Sequence, residues 1–290
     1  MTSAHRAPAR DLVVYASGGG MRGIFGAGVL HALAGMGVRD QVGAVYGISA
    51  GALNTAQFAL GATMGAMEWY LYHVLEHGIL AKATAVSLLR GEDMVDIPEA
   101  ERVLADEHLV DGDALGRCAF PVCFGAVERT SLEFRWLDAR RPDAIHLLVA
   151  SSTVFPFVHD GISIDGETFI DGGYREGICY RRLRREHPDA RLMLVLNDSE
   201  YESVVRRVTV SAALRLRDER LAAAWLETFD RTPAEMAEAL ADPRTLVIRP
   251  DETFAVHFAT TDPAVLAHGF WLGYRAVLAQ RERIRQFLGG

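Results

Sequence analysis

The sequence predicts an α/β chain built on one mostly parallel central sheet flanked by helices, in three layers. Three observations carry that expectation. Leu12-Val13-Val14-Tyr15 is a short apolar strand, followed by a glycine loop, Gly18-Gly19-Gly20-Met21-Arg22-Gly23, and a helical stretch from Ile24 to Met36. Ala44-Val45-Tyr46 is a second such strand, followed by Gly47-Ile48-Ser49-Ala50-Gly51 and a small-residue helix to Leu60. Strands that are apolar throughout and alternate with helices belong to parallel sheets covered on both faces. The bulk composition agrees: 290 residues, 50% hydrophobic and 23% charged, suffice for a sizeable core. No repeat, low-complexity tract or linker divides the chain, so residues 11–290 read as one domain behind a flexible tail, 1–10.

The first turn places backbone N–H groups and a helix N-terminus where an anion can sit. Gly18, Gly20 and Gly23 also satisfy G-x-G-x-x-G, the dinucleotide fingerprint, but Asp40 precedes the second strand rather than ending it. The second turn has the form of a nucleophile elbow, which exposes a serine hydroxyl at a sharp strand-to-helix turn. Gly47 and Gly51 leave room for the strand and helix to approach. Read together, the turns make Ser49 a nucleophile and Gly18, Gly19, Gly20, Arg22 and Gly23 an oxyanion loop.

The later elements follow in order. Residues 63–92 are Met- and aromatic-rich and helical, either core or an acyl-chain surface. Pro98 to Val110 is a polar helix. Phe120 to Val127 and Leu132 to Leu137 are strands of a hairpin. Ala144 to Ser151 is helical. Ile162 to Ile164 and Thr168 to Ile170 form a second hairpin around Asp165-Gly166, and it ends in Asp171-Gly172-Gly173. An acid there, with two glycines behind it, could face the serine. Arg181-Arg182-Leu183-Arg184-Arg185 reads as a solvated basic face, with an anionic head group as the sharper alternative. Arg191 to Leu196 and Leu246 to Ile248 are strands. Tyr201 to Phe229 and Pro263 to Leu288 read as one helix each.

Net charge is −8, which disfavours nucleic acid as a partner. Cys118, Cys123 and Cys179 are odd in number and lack metal-ligand spacing. Neither a zinc site nor any other metal or cofactor is expected. With no apolar run of bilayer length, the expectation is a cytoplasmic protein whose membrane contact, if any, is peripheral.

Taken together, Gly18 to Gly23, Gly47 to Gly51 and Asp171-Gly172-Gly173 resemble the bacterial patatin-like phospholipases. Ala150-Ser151-Ser152-Thr153-Val154-Phe155-Pro156 is similar to that family's block before the hairpin. The resemblance covers roughly residues 11–285. One departure is Tyr174 to Cys179, where such proteins commonly carry a proline; it bears on loop shape and substrate preference. The resemblance implies a Ser49–Asp171 dyad, an acyl-serine intermediate, no cofactor, and a lipid or small ester as substrate. Three alternatives stay open at this point. One is a Ser-Asp-His triad using His187, His257 or His268. Another is transfer of the acyl group to an alcohol or lysolipid. The third is a nucleotide-binding module.

Overall fold

Five parallel strands form the sheet's centre. They are β1 (Leu12–Ala16), β2 (Val42–Ile48), β3 (Val122–Glu128), β7 (Arg191–Val195) and β8 (Thr245–Ile248), in the order β3-β2-β1-β7-β8. Beyond β3 lie three antiparallel strands, β4 (Phe134–Asp138), β5 (Ile162–Ile164) and β6 (Glu167–Asp171). The computed structural model describes residues 10–79, 93, 95–154, 158, 160–199 and 203–289. The expected tail, residues 80–92 of the apolar region, and Phe155 to Phe157 fall outside the described residues.

Register at β3 positions everything that follows. Val122 to Gly125 pair with β2, with Gly125 opposite Ile48. From Ala126 onward β3 pairs with β6, and Ala126 stands opposite Asp171. Meanwhile β4 occupies Cys123 to Val127. A strand has two edges, so β2 and β6 share one edge of β3 and meet end to end. The last residue of β6 therefore arrives where β2 stops.

The helices cover both faces. Those before β7 are α1 (Gly23–Gly35), α2 (Ala50–Leu60), α3 (Thr63–Glu68), α4 (Val74–Glu76), α5 (Ile97–Asp106), α6 (Gly112–Gly116), α7 (Ala144–Ala150) and α8 (Tyr180–Glu186). After β7 come α9 (Val204–Arg215), α10 (Glu219–Ala241), α11 (Pro263–Ala279) and α12 (Arg281–Phe287). Alternate residues of β1 split between the layers. Leu12, Val14 and Ala16 pack with Phe25 and Val29 of α1, whereas Val13 and Tyr15 pack with Leu183 of α8 and Met236 of α10. Helices α1 and α11 touch backbone to backbone. A Cβ on Gly28 would lie 2.0 Å from the Phe270 carbonyl oxygen, and one on Gly273 would lie 2.0 Å from that of Phe25.

Two expected helices are each divided. The stretch from Tyr201 to Phe229 breaks at Asp218, whose carboxylate accepts the N–H groups of Arg220 and Leu221 at 2.8 and 3.1 Å and so starts a new helix. That second helix runs on through Pro233 to Ala241. The stretch from Pro263 to Leu288 breaks at Gln280, which leaves the helical conformation at φ −105°, ψ 12°. Between α3 and α4 the chain widens into a π-turn, Trp69–His73.

Candidate active site

Ser49 stands between β2 and α2 in a conformation that side chains rarely adopt, φ 56° and ψ −130°. What holds it there is a residue whose part the sequence did not reveal. Ser151, fully buried at the end of α7, accepts the Ser49 N–H twice, through its carbonyl at 3.1 Å and its hydroxyl at 3.0 Å. That hydroxyl in turn donates to the Gly125 carbonyl at 2.6 Å, tying the elbow to β3. Gly51 makes the turn sterically feasible: its Cβ position lies only 2.1 Å from the Ala16 carbonyl oxygen. Gly47 packs against the carbonyl of Gly51 in the same way.

Asp171 ends β6, and its carboxylate lies in one cavity with Ser49, whose hydroxyl is near enough to favour the charged form. The Gly173 N–H donates to the same carboxylate at 2.7 Å. Gly172 packs on the Gly125 carbonyl, which fixes the turn against β3. Burial pushes the Asp171 carboxyl up to about 6, against the opposing pull of the Ser49 hydroxyl and the Gly173 N–H. The pair is therefore desolvated, with Ser49 6% and Asp171 4% exposed.

The glycine loop lies directly over the serine. A Cβ on Gly18 would come within 2.9 Å of the Ser49 Cβ. Gly19 and Gly20 carry the turn at φ 152° and 58°. The amides of the later loop residues are occupied. Met21 N–H donates to the Phe258 carbonyl at 2.9 Å, Arg22 N–H to Gly19 at 3.2 Å, and Gly23 N–H to the carbonyls of Gly20 and Met21. Among the described residues, the amides of Gly18, Gly19 and Gly20 meet no protein acceptor. The Arg22 guanidinium is held by other partners, donating to the Gly19 carbonyl at 3.2 Å and to Asp198 at 2.8 Å. Gly23 lies behind the loop, where its carbonyl accepts from the Asn54 amide at 2.7 Å.

Asn197 at the end of β7 is a second support that the sequence left unread. It donates to the Ser17 carbonyl at 2.6 Å and to the Ser17 hydroxyl at 3.0 Å, and accepts the Gly26 N–H at 2.9 Å. Strand β1, strand β7 and helix α1 are thereby joined just behind the loop.

Two cavities meet at Ser49. One, of about 140 Å³, is apolar and runs between Leu53, Trp69, Val74, Ile79, Leu104 and Leu148. The other, of about 150 Å³, contains Asp171 and is lined by Arg22, Asp198, Arg206, Trp225 and Thr228. Among the described residues no histidine lines either cavity. The His187 ring is engaged with the Tyr46 hydroxyl at 2.8 Å, and His257 and His268 are exposed. Asp40 lies in the turn before β2, at the opposite end of the strand from the glycine loop. No group of three or more His, Cys, Asp or Glu side chains forms a metal site among the described residues.

The family model for patatin-like phospholipase matches residues 16–181, a span that holds the glycine loop, the serine elbow and Asp171-Gly172-Gly173. The chain belongs to the patatin-like phospholipase family. This membership implies lipid acyl hydrolysis. Among solved structures, the patatin-like chain is similar to VipD from Legionella pneumophila. The two are 13% identical with a TM-score of 0.53, over 97% of this chain and 67% of that one. At that identity the likeness shows a shared fold. The ExoU–SpcU complex of Pseudomonas aeruginosa also aligns, 16% identical over 97% of this chain and 61% of that one, with a TM-score of 0.29. No curated protein matches the sequence. Among the described residues of this patatin-like phospholipase, no helix is long and apolar enough to cross a membrane.

Proposed function

We propose that the chain hydrolyses carboxyl esters of lipids, with Ser49 as nucleophile and Asp171 as its direct base. The meeting of these two buried side chains in one cavity, where Ser49 also borders the apolar one, carries this reading. Asp171 takes the hydroxyl proton as the Ser49 oxygen attacks the ester carbonyl. The amides of Gly18 and Gly19 receive the oxyanion, a contribution of about 3–4 kcal/mol per well-placed donor in comparable sites. Collapse of the tetrahedral intermediate expels the alcohol, which leaves with the proton held by Asp171. The acyl chain rests in the apolar cavity and the alcohol portion in the polar one. Asp171 then takes a proton from water, whose oxygen attacks the acyl-serine, and Ser49 is released as its hydroxyl.

A fluorophosphonate probe tests the nucleophile. Peptide mapping is expected to find the label on Ser49 alone. Labelling at another serine, or none on folded protein, overturns the assignment. The base makes a separate prediction about pH. The carboxylate must be ionised to accept a proton, and it titrates near 6. On a short-chain p-nitrophenyl ester, kcat/KM is expected to be level above about pH 7 and to fall toward tenfold per pH unit below about 6. A profile that stays flat down to pH 4.5 removes Asp171 from the role.

A further inference from the structure

We infer that a phosphate-bearing anion docks in an arginine-lined cleft beside the loop that follows Asp171. The cleft, of about 510 Å³, lies between α8, α10 and the β3–β4 turn, and its size suits a phosphorylated head group or oligophosphate more than a lone ion. Five guanidinium groups line it, against three carboxylates. Arg181, Arg182 and Arg185 come from the basic run of α8, Arg175 from the loop and Arg231 from α10. The fourth arginine of that run, Arg184, is turned inward onto Asp242 at 2.7 Å, so the run is not a uniformly solvated face.

The carboxylates do not neutralise the cleft evenly. Glu235 is buried beneath it and accepts the backbone N–H of Arg181 at 2.8 Å. Glu133 is 70% exposed on the rim and lies 3.8 Å from Arg135. Inside, Glu176 lies 2.8 Å from Arg182 and 3.1 Å from Arg231, while from outside the lining Glu227 pairs with Arg175 at 2.9 Å and Glu186 lies 3.8 Å from Arg182. The Arg182 guanidinium lies over the Phe134 ring, 4.5 Å from its centroid. Among the described residues Arg185 has no carboxylate partner. Arg181 forks onto the half-exposed Glu238 through two bonds of 2.8 and 2.6 Å, and a phosphate, which offers the same fork geometry, would compete with that carboxylate. Guanidinium forks match phosphate oxygens in geometry as well as charge.

The cleft also reaches the catalytic chamber. Glu176 lines both. The N–H groups of Arg175 and Glu176 both donate to the Gly172 carbonyl at 3.1 Å, in the turn that carries Asp171. An anion competing for Arg182 and Arg231 therefore acts on that turn. This regulatory consequence rests on the Ser49–Asp171 reading; the binding itself does not.

The experiment uses inorganic pyrophosphate as the soluble probe and vesicles of phosphatidylcholine with phosphatidic acid as the lipid one. Phosphatidylcholine vesicles alone serve as the control. The protein is Ser49→Ala, so that no lipid is consumed, compared with the same protein carrying Arg181→Ala and Arg185→Ala. Binding in either arm, weakened roughly tenfold or more in the arginine variant, supports the site, and the arm that responds identifies the source of the phosphate. An unchanged melting temperature shows that the variant is folded. Binding in neither arm, or binding that survives both substitutions, overturns the proposal. Fluorophosphonate labelling of the otherwise wild-type protein reports separately on the nucleophile.

Discussion

Asp171→Asn is expected to abolish ester hydrolysis and, at the same time, to stabilise the protein. The activity loss follows from removing the base: an amide cannot take the Ser49 proton, and general-base catalysis contributes about 10²–10⁴-fold. The stability gain follows from the same burial that raises the carboxyl to about 6, above its ordinary 3.8. A group raised in this way charges more easily in the unfolded chain. The fold therefore loses stability as pH climbs from about 4 to about 6, and above that the cost is constant at about 3 kcal/mol. Asparagine keeps the acceptor for the Gly173 N–H and carries no charge, so its melting temperature at pH 8 should rise by about 5 °C. At pH 4 the two proteins should melt together. A variant that is inactive but no more stable at pH 8 would place the activity loss in altered structure instead.

The second large effect is Gly51→Ala. A methyl group there would sit 2.1 Å from the Ala16 carbonyl oxygen and 2.5 Å from its carbon, and both belong to the rigid centre of the sheet. Neither β1 nor α2 can retreat without breaking the β1–β2 register. A cost above about 3 kcal/mol is expected, with loss of soluble protein or a melting temperature lowered by more than about 5 °C. Gly35→Ala is the control. It ends α1 with no atom within 4 Å of the added methyl, and alanine there should stabilise by about 0.5–1 kcal/mol. Equal effects from the two substitutions would refute the close approach of strand and helix at the elbow.

These outcomes also mark what the sequence could and could not disclose. Both strand-turn-helix units and the hairpin before Asp171 are local patterns, and apolar runs punctuated by glycine identify them. The meeting of Ser49 with Asp171 is not local. It depends on β6 taking over the edge of β3 at Ala126, where β2 leaves off at Gly125. The turn at Asp171 allows an acid to face the serine, and the family resemblance is what pairs the two as a dyad. Ser151 and Asn197 were equally silent, because a buried serine or asparagine supporting a backbone turn has no distinctive neighbours in sequence. The division of the helical stretch at Asp218 was missed for a different reason: an aspartate inside an amphipathic run looks like one more surface charge until its carboxylate is seen capping α10. Arg22 and Gly23 belong to the glycine motif by spacing, yet their amides are consumed within the loop, which leaves those of Gly18, Gly19 and Gly20 without a protein acceptor among the described residues.

The clasp between α1 and α11 imposes a sequence of events during synthesis. The glycine loop leaves the ribosome well before its lasting supports, which lie more than two hundred residues further on. Phe258 secures Met21, and Phe270 and Gly273 press on α1. A nascent chain halted before these segments would already hold both the serine and the aspartate, yet lack the scaffold that fixes the loop above them. Proteolytic removal of α11 would disarm the finished molecule in the same manner, from far outside the pocket.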